Sequence, residues 1–176
     1  MGYVGLNCAL IMLIYSQSAV LHAVQPEIPV QEKARIASLA QLALRDKDIT
    51  QAQYQTTMKF LNARPCVGVD RTLSVAMKAK FAPAIAKTEG VKKIEMLAAF
   101  RFKEWRILYV AQTQSENNFS FYAGDPLTSP RRGSWSGGAS IFETEDIQKW
   151  LNKNIAGIPS QLASCFAWHV TLNRRD

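Results

Sequence analysis

His169, Cys66, Cys165 and the stretch of residues 122–135 hold the side-chain types through which this chain could do chemistry. A Cys-His or Ser-His mechanism needs a nucleophile within hydrogen-bond reach of a base. Beyond residue 23 the sequence offers a single histidine, His169. Residues 162–172 read as a strand, with Phe166, Trp168, Val170 and Leu172 on one face and Cys165, Ala167, His169 and Thr171 on the other. On a strand Cys165 and His169 stand about 13 Å apart at about 3.3 Å per residue, too far to share a proton. Gly133-Ser134-Trp135-Ser136-Gly137 has the outline of a hydrolase elbow, but tryptophan stands where that motif needs its nucleophile. Glu143, Glu145 and Asp146 are neighbours in sequence, yet they suit a helix N-terminus without further explanation. No set of His, Cys, Asp and Glu has metal-ligand spacing, and no glycine loop has the spacing that cradles phosphate. The sequence thus names no catalytic residue, no metal ligand and no cofactor.

Binding has better material. The connection around Gly124-Asp125-Pro126 and Ser129-Pro130 combines two aromatics, Tyr122 and Trp135, two arginines, Arg131 and Arg132, and one acid, Asp125. Aromatic residues and arginine are the types that anchor protein interfaces, and long connections carry function more often than core elements do. These five residues are the expected binding site. The alternative is a solvated loop whose Trp135 tucks into the core. Arg101 and Arg106 form a second, smaller candidate: a like-charge pair that an anion between them would make favourable.

Charge sets the class of partner. The 176 residues carry 21 Lys and Arg against 14 Asp and Glu, a formal net charge of +7. An excess of this size favours polyanionic neighbours and says nothing of fold. The cations are scattered, with no dense basic run, so the expected partner is a protein with an acidic surface rather than a nucleic acid. A membrane enters only if residues 1–23 are retained.

Residues 1–26 contain no Lys, Arg, Asp or Glu, and Ala9-Leu10-Ile11-Met12-Leu13-Ile14-Tyr15 is an apolar run of signal-peptide length. Ala23 before Val24 is a plausible cleavage point, although the usual positive start is missing. The expectation is a signal peptide or membrane anchor over residues 1–23, then one domain over 24–176 in the periplasm or outside the cell. The alternative is an anchored chain facing the periplasm. Two cysteines then remain, and an oxidising compartment favours a Cys66–Cys165 disulfide; two buried free thiols are the alternative.

These residues must be positioned by a recognisable frame. Its centre is residues 94–111, where Ile94, Met96, Ala98, Phe100 and Phe102 alternate, as do Trp105, Ile107, Tyr109 and Ala111. Period two with aromatic and β-branched residues predicts a half-buried hairpin. A turn at Lys103-Glu104 sets Phe102 opposite Trp105, Phe100 opposite Ile107, and Arg101 opposite Arg106. Upstream, helices are predicted over residues 31–46, over a second stretch starting with the Thr50 and Gln53 capping box, and over a third capped by Asp70 and split or kinked at Pro83. Downstream come a short strand at 119–122, a return strand at 135–142, a helix capped by Thr144 with Ile147, Trp150 and Leu151 inward and Gly157 as its stop, and the last strand at 162–172. The sum is an α+β fold, with N-terminal helices on one face of a four- or five-stranded antiparallel sheet and a short helix before the last strand. In architecture it resembles cystatin-like and NTF2-like sheets, a likeness that implies no activity.

Overall fold

In the computed structural model, which describes residues 28–112 and 116–173, the aromatic hairpin forms as its alternation predicts. Strand β1 (Ile94–Phe102) pairs antiparallel with β2 (Trp105–Gln112), setting Phe102 against Trp105, Phe100 against Ile107, Ala98 against Tyr109 and Arg101 against Arg106. Lys103 turns the chain with φ at 53°, taking a conformation that a primed hairpin turn usually gives to glycine or asparagine. Strands β3 (Asn118–Ala123) and β4 (Arg131–Ser136) extend the meander to four antiparallel strands in the order β1-β2-β3-β4. The expected export segment, residues 1–23, lies outside the described residues.

One irregularity redistributes the apolar side chains. Met96 pairs with Val110 and Ala98 with Tyr109, so Leu97 is an extra residue in β1. A bulge of one residue reverses the side-chain parity on either side of it. Ile94 and Met96, expected on the face of Phe100, therefore join Ala99, Leu108, Val110 and Tyr122 on the other face. Helix α3 (Val75–Glu89) covers that face with Phe81, Ile85 and Ala86. The aromatic face, with Phe100, Trp105, Ile107, Phe119 and Phe121, is met directly by Phe166 from the C-terminal region, and Ile36 of α1 (Val30–Arg45) and Leu61 of α2 (Gln51–Asn62) belong to the same apolar core. The first two helices thus join the core on the side where they were expected, and the third does not. Its N-cap also differs: Ser74 accepts from the Met77 N–H, while Asp70 exchanges backbone hydrogen bonds with Arg101 at the edge of β1. Pro83 lies inside α3 without ending it.

The C-terminal region carries the largest correction. Residues 162–172 are not a strand. Helix α4 (Thr144–Asn154) is followed by α5 (Ser160–Trp168) and a single π turn (His169–Asn173). Leu162, Ala163, Cys165, Phe166, Ala167 and Trp168 are all buried. Only Ser160, Gln161 and Ser164 are left as a narrow polar stripe on this helix, and so short an apolar run is hard to tell from a buried strand by period. In α4, Ile147 and Leu151 face inward but Trp150 is 38% exposed. Thr144 is not the cap; it is the first helical residue, and its hydroxyl is buried against that of Thr171 at 2.7 Å. The helix stops at Asn154, before Gly157, and β4 covers residues 131–136 rather than 135–142.

Helix α1 ends in an arrangement that yields a test. The Asp48 N–H bonds to the Ala43 carbonyl and the Lys47 N–H to that of Leu44, the 6→1 and 5→2 pattern of a Schellman ending. The left-handed residue this requires is Lys47, at φ 66°. Lys47→Gly removes a Cβ that costs about 1 kcal/mol there. It is expected to raise the free energy of unfolding by that amount, seen as a higher urea midpoint at unchanged slope; an unchanged or lower midpoint counts against this ending.

Candidate functional site

The five residues of the expected binding loop are distributed over both sides of the sheet. Tyr122 and Trp135 belong to neighbouring strands but to opposite faces. Tyr122 is 5% exposed among the residues under α3, and burial raises its phenol above the usual range. Trp135 is half-buried on the aromatic side, its ring centre 5.9 Å from that of Phe119 and 5.6 Å from that of Phe166. Both rings serve packing, as the alternative reading of Trp135 expected.

Asp125, Arg131 and Arg132 remain at the surface. Asp125 accepts from the Leu127 N–H at 3.0 Å and from Lys80 Nζ at 3.1 Å, and these donors hold its carboxyl below the ordinary carboxylate range. The Thr128 and Ser129 N–H groups bond to the Asp125 carbonyl, so the connection is a closed turn. Arg131 is paired with Glu89 near the end of α3. Arg132 is the extra residue where pairing shifts between Phe121 opposite Gly133 and Tyr122 opposite Arg131. It is exposed, and no ion pair ties it down among the described residues. The structure therefore ties Asp125 to Lys80 and Arg131 to Glu89, two separate points along α3, and leaves Arg132 exposed on the outer strand.

Arg101 and Arg106 sit opposite each other without needing an anion between them. Arg101 donates to the Asp70 carboxylate at 2.8 Å, and Arg106 donates to the Gly124 carbonyl at 2.8 Å. Burial pushes the Asp70 carboxyl up, but hydrogen bonds from Thr72 and the nearby Arg101 pull it down further, so it lies below its usual value.

The two cysteines are bonded. Cys66 and Cys165, both fully buried, join the segment after α2 to α5 across 99 positions. Gln161, one turn earlier on α5, donates to the Val67 carbonyl at 3.1 Å and also to that of Pro65, which fixes the same junction. On a helix Cys165 and His169 are one turn apart, so the strand spacing that separated them does not hold. The bond to Cys66 instead removes the thiol. His169 Nδ1 is 3.0 Å from Arg71 Nη2, and only the tautomer with its proton on Nε2 can accept there. Arg71 had no local signal in the sequence: 98 positions separate it from His169.

Among the described residues no group of three His, Cys, Asp or Glu side chains could hold a metal ion, and no helix is long and apolar enough to cross a membrane. No protein-family model matches this chain, and no curated protein or solved structure matches it either.

Proposed function

We propose that this chain is an exported, non-enzymatic binding protein of the bacterial cell envelope, of the inhibitor, immunity or accessory kind, which meets an acidic protein surface. The observation that supports this best is the outer strand β4. It is the last strand of the sheet, it carries Arg131 and Arg132 on the solvent side, and it belongs to a chain of net charge +7. Strand edges present unpaired backbone groups to any approaching chain, and arginines beside them select for carboxylates. The buried disulfide is in keeping with an oxidising compartment. His169 adds to the non-enzymatic side of the reading, because its Nδ1 takes a bond from a guanidinium that has no lone pair to relay a proton.

The test uses affinity capture from envelope extract of the source cells, with wild type and an Arg131→Ala/Arg132→Ala double variant of equal stability. Recovery of the partner bound by wild type is expected to fall at least tenfold in the variant, and to fall in wild type as salt rises. Equal recovery by both proteins removes the assignment to β4.

A further inference from the structure

Among the described residues, Arg71 is a half-buried cation whose side chain is held by neutral groups. Its guanidinium carbon lies 5.5 Å from the centre of the Phe100 ring, and Nη2 donates to His169 Nδ1 at 3.0 Å. With its amide oxygen turned toward the arginine, Asn173 accepts from Nη1 at 3.2 Å and from Nη2 at 3.3 Å. Among the described residues no carboxylate touches Arg71; the adjacent Asp70 is committed to Arg101 and to the Thr72 N–H. Burial draws the Arg71 pKa below its ordinary value, the sign expected of a cation that has lost water without gaining an anion. A guanidinium stays charged at physiological pH, so the Phe100 ring and the neutral acceptors offset its partial dehydration in part and a counter-charge would offset more.

His169 and Asn173 account for three of its five donor hydrogens, leaving the Nε–H and one Nη1–H. Arg71, His169 and Asn173 are each half-buried, so the cluster opens on solvent. Two of the three stand on the π turn, a distortion found often where proteins bind ligands.

We infer that Arg71, held by His169 and Asn173 over Phe100, is the seat of a binding site for a small oxyanion, the carboxylate or phosphate group of a solute. The anion supplies the missing negative charge and accepts the remaining donors. Phe100 is the apolar floor against which the guanidinium is fixed. This site is separate from the arginines of β4 and does not depend on a protein partner.

The experiment follows thermal unfolding of the full chain in inorganic phosphate and, in a second arm, acetate, each against chloride at equal ionic strength. Wild type is expected to show a saturable rise on the order of 2–5 °C with at least one of the two, the more effective anion giving the ligand class. Arg71→Met is expected to lose that rise. Asn173→Asp provides an independent arm that does not depend on the folding of Arg71→Met. It places a carboxylate on the guanidinium from within, so it should unfold at a higher temperature than wild type in chloride and no longer respond to either anion. A rise that never saturates and has the same slope in wild type and the variants overturns the site, as does an Asn173→Asp protein that responds as wild type does.

Discussion

Phe166→Ala is expected to destabilise the fold by about 3–5 kcal/mol, the range for removing a fully buried phenylalanine. Phe166 is 0% exposed, and its ring meets four others: Phe119 at 4.8 Å, Phe121 at 5.3 Å, Trp135 at 5.6 Å and Phe100 at 6.4 Å. The four rings come from three strands, Phe100 from β1, Phe119 and Phe121 from β3 and Trp135 from β4, so one side chain of α5 packs against both edge strands and an inner one. The edge-on geometry of these pairs contributes beyond area alone. Phe166→Leu, which keeps most of the volume, should cost less than half as much. Trp150→Ala, on the exposed side of α4, should stay within about 1 kcal/mol despite removing a larger ring. Urea unfolding of the three variants checks the order. A Trp150→Ala loss as large as that of Phe166→Ala contradicts the placement of the two rings.

Opening the Cys66–Cys165 bond is expected to cost about 3–4 kcal/mol, and to lower the unfolding temperature by about 8–15 °C. The bond closes a loop of 99 positions that includes the entire sheet, so its removal frees a large number of unfolded conformations. Cys66→Ala/Cys165→Ala is the suitable variant, because serine would leave a hydroxyl without water at two fully buried positions. The variant should also show a steeper dependence on urea, since an uncrosslinked chain exposes more surface when it unfolds. A loss of stability below about 1 kcal/mol relative to the oxidised protein, with unchanged slope, would mean the bond does not restrain this region.

What could be read in advance was local. The hairpin was legible because its aromatics alternate without interruption and because only a turn at Lys103-Glu104 matches Phe102 to Trp105. The second helix was legible from Thr50 and Gln53, whose side chains bond reciprocally at 3.2 and 2.9 Å. The bulge at Leu97 left no trace, since one added residue keeps the alternation intact on each side and only cross-strand pairing exposes the change of face. Residues 162–172 misled for a physical reason: with Leu162, Ala163, Cys165 and Phe166 all buried, the short apolar run shows no clear period of either kind. Of the expected site, composition singled out residue types on the β3–β4 segment, but strand parity decided that Trp135 would face Phe166 while Tyr122 faced α3. The Arg71, His169 and Asn173 cluster was beyond reach because it is assembled from two ends of the domain.

The claim on which the proposed role depends is that this is an oxidised, exported scaffold. The intact mass of the protein purified from its source cells, after alkylation under denaturing, non-reducing conditions, addresses it most directly. The account predicts a chain that begins near Val24 and takes up no alkyl group at Cys66 or Cys165. A chain that still carries residues 1–23 and is alkylated at both cysteines contradicts it.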